Sequence, residues 1–341
     1  MSHLVGISIV GASGYSGAEL LRFLLRHKGV RIDKLFANSS VGKSLADLYP
    51  EFRNRLDKRF ESYTLEATKE SDCVFLALPS GEAMNLAPAL LEAGKIVIDL
   101  GGDFRLKSVA HYKKFYKHEH TATHLLEKAV YGLAEWNCEQ IKSANLIANP
   151  GCYPTSALLP LLPLLKEGLI SPSGIVITSM SGVSGAGRKA DLSLSFVEVN
   201  DSVKAYKVAE HQHLPEIQQT LETITGQSVS LSFVPHLIPI TRGIYTTIHA
   251  TLMGGTTAEK IFEAYERYYK QTPFVRYFRD YIPELKGVVH TNFCDIGFRI
   301  SSETNQVILC AAIDNLVKGA AGQAIQNFNL IFGFNETESL M

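Results

Sequence analysis

The segment Asn149-Pro150-Gly151-Cys152-Tyr153-Pro154-Thr155 sets a thiol between a short apolar run and a proline-marked helix start. Proline is tolerated in the first helical turn, where an N–H has no intrahelical partner in any case. A cysteine at such a place feels the positive end of the helix dipole, which lowers a thiol pKa from its reference of about 8.5. The resulting thiolate is a nucleophile for acyl groups. Cys73 and Cys310 lie inside apolar runs and read as inert core. A second proline marks a helix after His211-Gln212-His213-Leu214-Pro215-Glu216-Ile217, so both histidines are expected on the preceding loop. Imidazole titrates near neutral pH, which suits proton transfer. An HxH pair also suits a metal half-site, but no companion cysteines or carboxylates have metal spacing, and no metal is expected. Arg105, in Gly101-Gly102-Asp103-Phe104-Arg105, follows a strand ending at Asp99. A guanidinium there can grip a phosphate or carboxylate with two N–H groups; an ion pair with Asp99 or Asp103 is the structural alternative.

A fourth group of residues points to a nucleotide. Gly11-Ala12-Ser13-Gly14-Tyr15-Ser16-Gly17 follows a strand and opens a helix. Glycines there allow a tight turn and let backbone N–H groups of Ser13, Gly14, Tyr15, Ser16 and Gly17 approach a pyrophosphate at the helix N-terminus. The spacing is GxxGxxG rather than GxGxxG, so the strand–turn–helix context carries the reading. The second strand ends in Ala37-Asn38-Ser39-Ser40, with Lys43 shortly after and no carboxylate. An enzyme for NAD usually places Asp or Glu there. Hydroxyls with a lysine suit a 2′-phosphate instead, so Ser39 and Lys43 favour NADP; a solvated surface role is the alternative for Lys43.

These residues need a scaffold, and the hydrophobic pattern supplies one. Strand candidates at 7–10, 32–37, 73–77, 96–99 and 146–148 alternate with helical stretches at 18–26 and 82–93. That order predicts an α/β, Rossmann-type doubly wound parallel sheet over residues 1–150. After Pro150 come an apolar helix at 154–165, strands at 174–178, 228–234, 244–252, 293–300 and 307–313, and a helix at 258–270. They predict an α+β domain with a mixed sheet over 151–314, which carries the Cys152 and histidine segments. A last helix, beginning near Lys318 within 315–341, carries small residues suited to close packing.

With 341 residues the chain is long enough for two domains. Its formal net charge of −1 gives no field to recruit nucleic acid or an anionic membrane. No apolar run reaches the length of a spanning helix and no secretory leader precedes the first strand. Five dispersed cysteines without CxxC spacing fit a reducing, cytoplasmic setting.

Taken in order, the glycine turn, Asp103-Phe104-Arg105-Leu106, the Cys152 segment, Val183-Ser184-Gly185-Ala186-Gly187-Arg188-Lys189, the HxHLPEI segment, Pro235-His236-Leu237 and 314–324 resemble the N-acetyl-gamma-glutamyl-phosphate reductase family. One departure is Gly101-Gly102, where that family more often has Ser-Ala. The resemblance implies a NADPH-dependent reduction of an acyl phosphate to the semialdehyde in arginine biosynthesis, with Cys152 as nucleophile and His211 as acid/base. It further implies Arg105, His213 and Ser181 at the substrate, and Pro79, Gly182 and Asn315 with the glycine turn at the cofactor. It also implies that the second domain builds a homodimer or homotetramer, and that the last helix completes the cofactor domain. Two alternatives remain open at this point: the same chemistry on an aspartyl or carrier-linked aminoadipyl or glutamyl phosphate, and a non-catalytic NADPH-sensing regulator.

Overall fold

The computed structural model describes residues 4–341, so the first three positions of the expected 1–150 domain lie outside the described residues. It divides into two compact units, one taking the chain to Pro150 together with Ala320–Met341, the other Gly151–Gly319.

In the first unit the chain runs β1 (Val5–Val10), α1 (Tyr15–Leu24), β2 (Val30–Phe36), α2 (Leu45–Leu48), β3 (Cys73–Leu76) and α3 (Ala83–Glu92). It continues through β4 (Ile96–Asp99), α4 (Val109–Tyr116), β5 (Val130–Tyr131), α5 (Ala134–Lys142) and β6 (Leu146–Ala148). The strands form one parallel sheet ordered β2-β1-β3-β4-β6-β5. All of β1 and β3 is buried, as a parallel sheet covered on both faces requires. One core cluster joins Val10, Phe36, Leu76, Val97 and Phe104 to Leu90 of α3. Four elements were not anticipated, α2 being a single turn of four residues. β5 has two residues, α5 kinks at Asn137, and α4 buries only Tyr112 and Tyr116, so none carries a strong apolar period.

The second unit opens with α6 (Cys152–Lys166) and continues through β7 (Ile175–Ser181), α7 (Phe196–Val199), β8 (Lys204–Ala205), α8 (His213–Thr225) and β9 (Leu231–Leu237). β10 (Ile244–Thr251), α9 (Ala258–Tyr269), β11 (Val275–Phe278), β12 (Cys294–Ser301) and β13 (Gln306–Ile313) follow. They form a mixed sheet ordered β11-β12-β13-β10-β7-β9-β8. Residues 153–165 of α6 are buried all round, which makes it the central helix of this unit. Pro163 deprives the Leu159 carbonyl of its helical donor. The Tyr269 hydroxyl of α9 takes that carbonyl at 2.6 Å, so the proline becomes a docking point rather than a break. β7 alternates, with Ile175, Ile177, Ser179 and Ser181 buried and Val176 and Met180 exposed. The short β11, which sequence periodicity did not separate from its loops, pairs in parallel with β12.

The helix expected near Lys318 begins later, as α10 (Gly322–Ile331), because a wider π turn occupies Val317–Ala321. α10 packs on α1 and α5 of the first unit. Its buried amides donate inside that unit: Asn327 donates to Gly132 O at 2.9 Å and to Asn149 Oδ1 at 3.1 Å. No described helix is long and apolar enough to cross a membrane.

Candidate active site

Cys152 is the first residue of α6, half-buried, with Gly151 as the helix cap in extended conformation. No acidic residue of α6 lies in that first turn, and the dipole there favours an anion at the thiol. α8 faces this turn from within the same unit. Glu216, fully buried, accepts a hydrogen bond from Gly151 N–H at 2.8 Å. His213 Nε2 lies so close to Gly151 that a methyl group built there would come within 2.5 Å of it. His213 and Glu216 are three apart and therefore share a helix face. Contrary to the loop expected from sequence, His213 heads the helix itself.

His211 sits differently. Its Nδ1 accepts a hydrogen bond from His213 N–H at 3.1 Å, which leaves the ring proton of the neutral imidazole on Nε2. Tyr153, Tyr206 and Phe233 box its ring at centroid distances of 5.5 Å each. Burial, reinforced by the charge of Lys207, pushes its pKa down to about 3. His211 thus holds the start of α8 through its bond from His213 N–H, while His213 Nε2 lies against Gly151 beside Cys152. The tyrosines of the box join at 2.9 Å through their hydroxyls, and burial raises both above the ordinary phenol range, Tyr206 to about 12.

The loop after β7 and the π turn complete this unit's site. Ser181 is buried, its hydroxyl donating to Gly182 O at 3.0 Å, and Gly182 N–H donates to Gly243 O at 2.9 Å. Asn315 was expected at the cofactor. In this structure its amide braces the loop, donating to Ser184 Oγ at 3.0 Å and accepting from Gly243 N–H at 2.7 Å. Gly319, in the π turn, approaches Cys152 so closely that a methyl group there would come within 2.7 Å of its Cβ. Single π turns recur at functional sites.

In the first unit, Gly11 takes φ +86° and its back lies against Ala77 O, where a side chain would come within 2.1 Å. Gly14 caps α1 without a side-chain bond, and no acidic residue occupies the first turn. The N–H groups of Tyr15, Ser16 and Gly17 there have no partner within the helix. Ser13 O accepts from the Tyr49 hydroxyl at 2.9 Å, which holds the turn. Pro79 lies in the turn after β3, its carbonyl accepting from Glu82 N–H at 3.4 Å. Ser39 and Lys43 are exposed beyond β2. An isolated bridge between Ser44 and Arg59 brings in a second cation that sequence reasoning missed: Arg59 donates to Gly42 O at 2.9 Å.

Arg105 is buried, its Nε donating to Asn149 O at 2.8 Å and its Nη2 to Leu100 O at 2.9 Å. It thus ties the ends of β4 and β6 together, one residue before Pro150. Asp103 accepts from Gly81 N–H, Met84 N–H and the Tyr112 hydroxyl, anchoring the start of α3. Burial, with the charge of Asp103, raises Asp99 to about 7. Among the described residues no group of three or more His, Cys, Asp or Glu side chains could hold a metal ion.

A parallel sheet with a glycine turn, followed by a mixed-sheet unit headed by a helix-start cysteine, is the architecture of the semialdehyde dehydrogenases. Residues 6–144 match the semialdehyde dehydrogenase NAD binding domain and residues 152–315 the semialdehyde dehydrogenase dimerisation domain. Aspartate semialdehyde dehydrogenase II from Vibrio cholerae, solved in complex with ASA, has the same fold, with TM-score 0.76 at 20% identity over 97% of this chain and 99% of that one. The Candida albicans aspartate semialdehyde dehydrogenase solved with NADP gives 0.68 at 18% identity over 96% and 98%. Relatives named N-acetyl-gamma-glutamyl-phosphate reductase are far nearer in sequence. That of Pelotomaculum thermopropionicum is 49% identical over 98% of this chain and 97% of its own length. That of Pelodictyon phaeoclathratiforme is 47% identical over 99% of both. The chain belongs to the N-acetyl-gamma-glutamyl-phosphate reductase family.

Proposed function

We propose that this protein reduces N-acetyl-gamma-glutamyl phosphate to N-acetylglutamate 5-semialdehyde, releasing phosphate, as the NADPH-dependent step of arginine biosynthesis. The observation that carries the reading is Cys152 at the start of α6 with His213 Nε2 against the adjoining Gly151. Family membership over nearly the whole chain supplies the substrate.

The Cys152 thiolate attacks the acyl carbon, a C–S bond forms, the C–O bond to phosphorus breaks, and phosphate departs. The product is a thioester, a better hydride acceptor than a carboxylate. The first N–H groups of α6 lack intrahelical partners and donate to the oxyanion of each tetrahedral intermediate. When the thioester is reduced, the C–S bond breaks and the thiolate leaves. His213 manages the proton at the sulfur, and Glu216 holds the turn that presents it.

The dinucleotide fits the first unit: the capping position of α1 is a bare glycine, its first turn carries no acid, and the end of β2 offers Ser39, Lys43 and Arg59, the neighbouring Glu61 being paired with Lys34. When bound there, NADPH supplies the hydride. Tyr15, Ser16 and Gly17 hold its pyrophosphate through backbone N–H groups, and the two cations hold the 2′-phosphate. A homodimer or homotetramer in the cytoplasm belongs to the same reading, supported by the dimerisation-domain match and by five free cysteines.

The test runs the reaction backward. With N-acetylglutamate 5-semialdehyde, phosphate and NADP, absorbance of NADPH should appear, and more slowly with NAD. Faster turnover of aspartate semialdehyde would transfer the assignment to that substrate, and no turnover of any semialdehyde would leave a nucleotide-sensing role.

A further inference from the structure

Asn149 follows β6, stands three residues before Cys152 and is fully buried. Buried polar groups need partners, and each of those on Asn149 has its own. The N–H donates to Asp99 O at 2.9 Å, and the carbonyl accepts from Arg105 Nε at 2.8 Å. In the side chain, Oδ1 accepts from Asn327 Nδ2 at 3.1 Å and Nδ2 donates to Ala320 O at 3.1 Å. Three of these bonds tie the residue to β4, to the turn behind it and to α10. The fourth reaches the π turn, where Ala320 follows Gly319, the residue that lies against Cys152.

These links form a closed path. From Asn149 the backbone passes through Pro150 and Gly151 to Cys152, whose Cβ would be 2.7 Å from a methyl group added at Gly319. Gly319 continues to Ala320, and the Ala320 carbonyl returns to Asn149. Little in this path can turn. Proline fixes its own φ and restricts the residue before it to extended backbone. Gly151 N–H is held by Glu216 Oε1 at 2.8 Å. At the other end of the π turn, Asp314 Oδ1 accepts from Leu316 N–H at 2.8 Å and from Val317 N–H at 3.1 Å, and Gly319 N–H donates to Asp314 O at 3.0 Å. The Asn149 carboxamide is the side-chain link that closes the loop. An apolar residue would fill the same space without tying the π turn.

We propose that Asn149 is a positioning residue for the nucleophile: its carboxamide holds the π turn against Cys152 and so aims the sulfur at the start of α6. The inference rests on Cys152 as the nucleophile of the reading above. Being fully buried, Asn149 acts through Ala320 and Gly319 rather than on a ligand. A thiolate gains from a helix start only while it stays within the first turn. Without the bond to Ala320, Gly319 withdraws and the Cys152 side chain gains other staggered rotamers.

The experiment compares full-length wild-type protein with Asn149→Ala and with Gln323→Ala. Gln323, equally buried on α10, donates to Gly132 O at 2.9 Å and serves as the structural control. Both variants should melt below wild type. Three readouts separate them: the pH midpoint of Cys152 alkylation by iodoacetamide, hydrogen exchange in the segment 317–321, and kcat beside KM. The first two use no acyl phosphate, so they decide the proposal even where the substrate assignment fails. In Asn149→Ala the midpoint should rise by about half a pH unit or more toward the reference thiol value of about 8.5, and exchange should quicken about tenfold. There kcat should fall about a hundredfold with KM within about threefold of wild type. Gln323→Ala should match wild type in all three. Where Asn149→Ala does not fold, Asn149→Asp is read by exchange alone, since it keeps the shape and the acceptor for Asn327 and, once ionised, loses the donor for Ala320. An unchanged midpoint or unchanged exchange in Asn149→Ala, however far melting falls, would overturn the proposal. So would equal shifts in Gln323→Ala, or unchanged exchange in Asn149→Asp.

Discussion

Gly319→Ala tests how tightly the π turn positions the nucleophile. The added methyl would lie 2.7 Å from Cys152 Cβ, 3.1 Å from its Cα and 3.3 Å from Ile313 Cδ1. Carbon atoms rest at about 3.5–4.0 Å, so the two segments must part by roughly 1 Å. Overpacking of this kind costs about 1–3 kcal/mol. Replacing a glycine in an ordinary backbone conformation returns about 0.4–1 kcal/mol by restricting the unfolded chain. The net loss is about 0–2.6 kcal/mol, which lowers the melting temperature by several degrees at most. Catalysis should suffer far more, because a misplacement of about 1 Å can cost roughly a hundredfold in rate. The assay is kcat for acyl-phosphate reduction, read beside the melting temperature and NADPH affinity. The expected result is kcat down about a hundredfold, with melting lowered by several degrees at most and nucleotide affinity nearly unchanged. Turnover within about threefold of wild type would refute the claim that this contact sets the position of Cys152.

Three further outcomes are expected. His213→Asn should slow reduction by about a hundred- to ten-thousandfold and flatten one limb of the pH–rate profile, whereas His211→Asn should cost about tenfold or less; the reverse ranking would return the acid/base role to His211. Neutral, buried His211 contributes stability that is complete above the unfolded imidazole pKa of about 6.5 and is lost as pH falls from there toward the folded value of about 3. Denaturant unfolding at pH 5 against pH 7.5 should therefore show wild type losing about 2 kcal/mol more than His211→Asn, and equal losses would contradict the buried neutral imidazole. Arg105→Lys should lower both melting temperature and kcat, because lysine cannot span the Asn149 and Leu100 carbonyls; a raised KM with unchanged melting would instead show that Arg105 acts on the substrate alone.

The parts of the site that were legible in sequence are those where proline and glycine fix the backbone locally. Cys152 at a helix start follows from Pro154 and Gly151, and the nucleotide turn from Gly11, Gly14 and Gly17 after an apolar strand. Fold class was legible for the same reason, since β1, β3 and α6 are apolar enough to declare burial. What sequence could not show was how the surroundings of His211 and His213 differ. That depends on Tyr206 and Phe233 closing around one ring, and Phe233 comes from β9. Arg105 was expected at the substrate because a guanidinium suits an anion, and Asn315 at the cofactor through the family resemblance. Their observed partners are backbone groups and a serine hydroxyl, which leave no pattern in the sequence. The approach of Gly319 to Cys152 joins positions 167 residues apart, beyond any local signal.

The central claim is a covalent acyl group on Cys152, and it is tested most directly by mass spectrometry of protein mixed with N-acetyl-gamma-glutamyl phosphate in the absence of NADPH. The account predicts one acyl adduct per chain on the peptide containing Cys152, lost on adding NADPH and absent in Cys152→Ser. An unmodified Cys152 peptide in protein that still reduces the acyl phosphate, or a Cys152→Ser variant with substantial activity, would contradict it.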